Sequence, residues 1–281
     1  MQNRVCVVTG ANSGIGKVTA QALLARGATL LMVCRSKQKG EIALEEIRTQ
    51  SKNNDAHLLV ADLSSQAEIR RLATEIQARA PRIDVLVNNA GGINPTLTLT
   101  TDGLETTFAV NHLSHFLLTN LLLESLKASS APRIVNVSSQ AHQIGTINFD
   151  DLGFRKNYHA MKAYAQSKLA NILFTYELAR RLSRQNITVN TLHPGTVNSN
   201  FGKNLDGIVG FFFRSWGFLM RTPEKGAETV IWLATSPELN GVTGKYFYDK
   251  KEIRSSKISY NADVAKKLWD VSAGLTREKG I

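Results

Sequence analysis

Apolar residues fall in short runs separated by longer stretches of helical period. Arg4-Val5-Cys6-Val7-Val8-Thr9 is the first such run, and it is too continuously apolar for a strand with one wet face. It is expected to be a strand buried on both sides. Similar runs recur at Thr29–Cys34, His57–Ala61, Asp84–Val87, Arg133–Val137, Ile187–Leu192 and Lys245–Tyr248. Between them lie amphipathic stretches: one running to Ala25, then about Lys37–Gln50, Ser65–Arg79, a long one at Asp102–Lys127, and one carrying Tyr164. Thr222-Pro223-Glu224 opens another helix with a capping Thr and Pro at its first position, and Asp263–Ser272 is a terminal amphipathic helix. Strands alternating with helices predict an α/β fold. We expect a single-domain doubly wound Rossmann fold, a seven-stranded parallel sheet with helices on both faces.

No composition break divides the 281 residues, so one domain is expected over 1–281. Within it we distinguish a nucleotide half of about 1–100, a catalytic half of about 101–197 and a segment of about 198–222. Composition is that of a globular protein, 43% hydrophobic and 20% charged. No apolar run is long enough to span a bilayer, and the chain enters a strand at once, without a signal peptide. Cys6 and Cys34 lie in predicted core strands without a C-x-x-C pattern, as expected of reduced thiols in a cytoplasmic compartment. The formal net charge is +11, spread along the chain. There is no long basic tract, zinc pattern or RNA-binding aromatic motif, so no nucleic-acid partner and no metal are expected. A polyanionic cofactor or an anionic membrane surface fits the charge better; a merely solvated basic surface is the plain alternative.

The candidate chemistry sits where strands end. Gly10-Ala11-Asn12-Ser13-Gly14-Ile15-Gly16 follows the first strand and opens a helix. Glycines there let backbone N–H groups approach a pyrophosphate, and the helix N-terminus favours its charge. Past the second strand stands Arg35, where an acid would bind the ribose hydroxyls of NAD. A guanidinium suits a 2′-phosphate, and Lys17 adds charge on the same side, so NADP(H) is expected over NAD(H). Asp62-Leu63 ends the third strand, where a carboxylate can meet the adenine amino group. Asn88-Asn89-Ala90-Gly91 closes the fourth, its small residues letting a nucleotide pass close.

Ser138-Ser139 ends the fifth strand, where a hydroxyl can polarise a carbonyl; two serines there are also ordinary turn residues. Gln140–His159 is a loop or small insertion. Tyr164 and Lys168, four apart, share one helix face. The ammonium should lower the phenol's pKa and let it exchange a proton with a substrate oxygen. Asn111, polar among apolar neighbours, can bond backbone across a helix kink and hold a water; a capped or solvent-facing Asn is equally compatible.

Together these motifs resemble the short-chain dehydrogenases/reductases: Thr9-Gly10-x-x-x-Gly14-Ile15-Gly16, Asp62-Leu63, Asn88-Asn89-Ala90-Gly91, Asn111, Ser139, Tyr164-x-x-x-Lys168 and Pro194-Gly195, in the family's order. Cys34-Arg35, Val137-Ser138-Ser139-x-Ala141-His142, Asn148–Leu152, Ser167–Asn171, Thr243–Phe247 and the long gap between Ser139 and Tyr164 look most like the retinol dehydrogenase branch. The resemblance implies that Tyr164 is the proton donor in reduction and acceptor in oxidation. Lys168 would tune it and hold the nicotinamide ribose, Ser139 would bond the substrate oxygen, and Asn111 would hold a water linking Lys168 to solvent. Pro194, Gly195, Val197 and Ser199 would meet the nicotinamide, with Ser199 standing where relatives usually carry Thr. Many retinol dehydrogenases begin with a membrane-anchor helix that is not found here, which weighs against membrane residence and a retinoid substrate. Relatives often pair as homodimers through the helices holding Asn111 and Tyr164.

Asn198–Met220 is rich in large apolar residues and corresponds to the family's substrate lid. It is compatible with an apolar pocket, with core packing, or with a patch dipping into a membrane surface. The expected activity is NADP(H)-dependent interconversion of an apolar aldehyde or ketone and its alcohol. The alternatives are the same chemistry on a polycyclic or chlorophyll-type molecule, or a non-catalytic NADP(H) sensor.

Overall fold

A computed structural model describes residues 1–197 and 221–278. The segment 198–220, with Ser199 and the expected lid, lies outside the described residues. The chain forms an α/β sandwich around an eight-stranded sheet of order β3-β2-β1-β4-β5-β6-β7-β8. The strands are β1 Val5–Thr9, β2 Thr29–Cys34, β3 Ala56–Val60, β4 Val85–Asn88, β5 Arg133–Val137, β6 Thr188–Leu192, β7 Tyr246–Tyr248 and β8 Lys251–Glu252. All neighbouring pairs are parallel except β7–β8.

The strands' continuous apolar character follows from burial on both faces. Cys6 and Val8 of β1, with Leu30, Met32 and Cys34 of β2, face one apolar layer. Their alternates Val7, Leu31 and Val33 face the other. Helices α1 (Gly14–Leu24), α2 (Lys37–Ser51) and α7 (Pro223–Thr235) cover the first layer. Helices α3 (Gln66–Arg79), α4 (Ser114–Leu121), α5 (Leu123–Lys127) and α6 (Ala160–Arg181) cover the second. Thr222 caps α7 by accepting the Lys225 N–H, with Pro223 at its start. The C-terminal helix α8 (Ala262–Thr276) lies on α6, with Trp269 packed edge-on to Phe116 and stacked on Phe174.

Two expectations need correction. The sheet has an eighth strand, antiparallel, because Asp249 and Lys250 both take left-handed backbone (φ 47° and 59°) and fold the chain back in a two-residue hairpin. Asp-Lys carries none of the Asn-Gly signal that usually marks such a turn. The stretch Asp102–Lys127 is not one helix. Gly103 (φ 72°) turns the chain, and Asp102 accepts the Gln66 N–H instead of continuing a helix. The buried Glu105 carboxylate then caps a short turn at Thr106–Phe108, accepting the N–H groups of Thr107 (2.6 Å) and Phe108 (2.7 Å). A wider π-turn, Ala109–Leu113, carries Asn111 before α4 begins. The apolar period runs unbroken through these changes, so the pattern alone could not show them.

Candidate active site

Parallel strands bring their carboxyl ends to one edge of the sheet, and the residues following β1, β2, β3, β4, β5 and β6 line a single cleft of about 720 Å³. The turn after β1 is held from two sides. Gly10 takes φ 67° and donates its N–H to Val33 O at 2.9 Å. Across the sheet, the Thr9 hydroxyl accepts the N–H groups of Asn89 and Ala90, both at 3.0 Å, and the Asn89 amide donates to Thr9 O at 2.8 Å. A Cβ on Gly16 would sit 2.3 Å from Gly10 O and 2.5 Å from the Asn89 amide nitrogen, so only hydrogen fits where α1 leaves the turn. Ser13 makes no side-chain cap on α1, leaving its first-turn N–H groups to an outside acceptor. Arg35, exposed at the end of β2, lines the same end of the cleft. Among the described residues no carboxylate pairs with it within ion-pair distance. A Gly-rich backbone cradle, a free helix N-terminus and a guanidinium form a donor set that fits a dinucleotide phosphate, including one at the 2′ position.

At the other end, Ser138 and Ser139 point different ways. The Ser138 hydroxyl donates to Lys168 O at 2.7 Å, tying β5 to α6. The Ser139 hydroxyl faces the cleft, accepts the Ala141 N–H at 3.2 Å and acts on the Tyr164 phenol to lower its pKa. Lys168, one helical turn past Tyr164, donates to Val137 O at 3.1 Å, and its ammonium sits 5.7 Å from the centre of the tyrosine ring. The phenol pKa differs from the expectation. Burial pushes Tyr164 up to about 12, outweighing the Ser139 bond that lowers it. Lys168 is itself pushed down to about 8 by burial. Desolvation of both groups exceeds the help that the ammonium's charge was expected to give.

Gly10, Asn12, Ser13, Gly14, Ile15, Gly16, Arg35, Asp62, Leu63, Asn89, Ala90, Gly91, Asn111, Ser139, Tyr164, Lys168, Pro194, Gly195 and Val197 are all brought to this cleft. Among the described residues, one expected residue is not. Lys17 points away and forms an ion pair with Glu46 of α2. Ser199 lies outside the described residues. The Asn111 side chain is engaged directly: it accepts the Gly92 N–H at 2.8 Å, donates to Gly92 O at 2.8 Å and donates to the Ser167 hydroxyl at 2.9 Å. Further residues line the cleft without any signal from the motifs above, among them Ile93, Asn94, Thr107, Val110, Gln140, Met161 and Thr196. Met161, one turn before Tyr164, was readable from helical period; Val110 and Thr107 depended on the irregular turns before α4. Among the described residues no group of three or more His, Cys, Asp or Glu could hold a metal ion. No described helix is long and apolar enough to cross a membrane.

The family model for short chain dehydrogenases matches residues 4–207. The chain is 45% identical to retinol dehydrogenase 14 of Mus musculus, over 97% of this chain and 85% of that protein. It is 43% identical to retinol dehydrogenase 13 of Homo sapiens, over 97% and 84%. Among solved structures, an uncharacterised protein of Mycobacterium paratuberculosis superposes with a TM-score of 0.80 at 33% identity, covering 99% of this chain and 94% of that one. A Pseudomonas aeruginosa RhlG/NADP active-site complex gives 0.69 at 28% identity, covering 88% and 94%.

The close approach at Gly16 sets a direct expectation. Gly16→Ala must push the first turn of α1 off Gly10 and Asn89, costing about 1–3 kcal/mol as overpacking does. A urea unfolding curve, compared at constant slope with the parent chain, measures it.

Proposed function

The chain belongs to the short-chain dehydrogenase family and is an oxidoreductase related to the retinol dehydrogenases, and from that premise we propose that it is an NADP(H)-dependent enzyme interconverting an apolar aldehyde or ketone and its alcohol. The observation that carries this reading is the meeting of Ser139, Tyr164 and Lys168 in one cleft with the glycine-rich turn of β1. Bound NADP(H) would supply or accept the hydride, and the chain supplies position and proton transfer. The backbone N–H groups of the Gly10–Gly16 turn hold the pyrophosphate, and Arg35 takes the 2′-phosphate. Lys168 holds the nicotinamide ribose. The Pro194–Val197 segment after β6 would meet the nicotinamide end.

On the substrate side, the Ser139 hydroxyl donates a hydrogen bond to the reacting oxygen, and Tyr164 gives that oxygen its proton. A phenol held near pKa 12 stays protonated at neutral pH, the form that carbonyl reduction needs. Oxidation of the alcohol needs the phenolate, so its rate should climb with pH where reduction does not. Ile93, Val110, Ala141 and Met161 give the described substrate end apolar walls. With the names of the relatives, they support retinoid-type or other long-chain apolar substrates.

Tyr164→Phe removes the transferable proton while keeping the ring. It should lower carbonyl turnover by about 10²- to 10⁴-fold, the usual span of general acid catalysis, and leave NADPH affinity unchanged. Near-normal turnover would refute the assignment of Tyr164. Arg35→Asp exchanges a phosphate-binding charge for one that repels it, so the ratio of kcat/KM for NADPH to that for NADH should fall and invert. A ratio near one in the parent enzyme would contradict the proposed NADP(H) preference.

A further inference from the structure

Behind the cleft lie three buried side chains that the proposed reaction does not use: His112, His115 and Asn171, each at most 1% exposed. They are connected. His115 Nε2 lies 2.8 Å from Ala90 O, and its Nδ1 lies 3.4 Å from Asn171 Nδ2. Asn171 Nδ2 also lies 3.4 Å from Val137 O, the carbonyl that receives Lys168. Asn171 Oδ1 lies 3.3 Å from His112 Nδ1, and His112 Nε2 lies 3.0 Å from the Ser272 hydroxyl on α8.

One assignment of protons satisfies every contact. A carbonyl only accepts, so His115 carries its proton on Nε2 and donates it to Ala90. Its Nδ1 then accepts from the Asn171 amide nitrogen, which turns the Asn171 oxygen toward a protonated His112 Nδ1. His112 Nε2 is left to accept the Ser272 hydroxyl proton. Both rings are neutral in this arrangement, and burial pushes both well below the ordinary histidine range.

The spacing gives the network a use. Asn111 and His115 are four residues apart before and within α4, and Ser167 and Asn171 are four apart on α6. They form two rungs between the same two segments, Asn111–Ser167 and His115–Asn171. On the far side each rung ends on the turn after β4: Asn111 holds both polar groups of Gly92, and His115 holds the carbonyl of Ala90. A Cβ on Gly91, between them, would lie 2.9 Å from Asn111 Oδ1 and 3.3 Å from Lys168 Nζ. The turn thus stands against the catalytic lysine with little slack.

We propose that His115 and Asn171 are positioning residues, a second rung that fixes the Ala90–Gly92 turn, and with it a bound dinucleotide, at a set distance from Tyr164 and Lys168. His112, anchored by Ser272 of α8, orients the Asn171 amide for that task. This rests on the NADP(H) reading above.

NADPH titration by calorimetry, with thermal midpoints recorded alongside, tests it without depending on turnover. His115→Leu leaves the Ala90 carbonyl without its donor, and NADPH should bind about tenfold more weakly, as loss of one buried hydrogen-bond partner implies. His115→Gln, whose amide can replace Nε2, should stay within about threefold of the parent. A folded His115→Leu chain with parental affinity would overturn the proposal. So would equal losses in the Leu and Gln variants, which would mean that packing alone is at stake. If His115→Leu does not fold, Asn171→Ala is titrated instead; it should bind NADPH several-fold more weakly, and parental affinity there would overturn the proposal. A parent chain that binds no NADPH would refute the cofactor reading itself.

Discussion

The arrangement depends on burial of both faces of a parallel sheet. Within the sheet, backbone polar groups are satisfied by the ladder and side chains face oil on either side. The few polar side chains within the strands, such as Asn88 and Asn136, are bonded to each other and to the covering helices, so polar groups open to a ligand gather where strands stop. All the parallel strands run the same way, so their carboxyl ends share one edge, and residues as distant as Gly10, Arg35, Asn89, Ser139 and Pro194 become neighbours. The stitches between Thr9, Asn89 and Ala90 then hold the ends of the paired strands β1 and β4 together at that edge.

The same burial governs the electrostatics at the site. A phenol and an ammonium one helical turn apart would favour their charged forms in water. In this pocket desolvation acts on both, raising the phenol's pKa and lowering the ammonium's. A phenol raised this far keeps its proton at neutral pH. Buried neutral histidines behind the pair add no charge to the pocket, and they contribute geometry through hydrogen bonds that only one set of tautomers satisfies.

Much of this was legible in the chain itself. The central strands β1, β2, β4 and β5 are buried on both faces and so announce themselves as apolar runs, the glycine turn and Ser139 stand at strand ends, and the Tyr164–Lys168 pair is readable from its helical spacing. What was hidden depends on tertiary contact. The π-turn at Ala109–Leu113 keeps the same apolar period as a regular helix. Lys17 looked like a phosphate ligand because it follows the glycine turn, but α2 brings Glu46 beside it. The direction of the Tyr164 shift required knowing how deeply the pair is buried. The roles of His115 and Asn171 needed the opposing helix and the β4 turn to be seen together, since a lone histidine in an apolar stretch reads equally well as core packing.

The most direct test of the central claim is NADPH oxidation by the purified protein across straight-chain aldehydes of increasing length, with retinal included. An NADP(H)-dependent carbonyl oxidoreductase with an apolar pocket predicts turnover whose kcat/KM rises with chain length. Intact NADPH binding with no turnover on any of these carbonyls would contradict it.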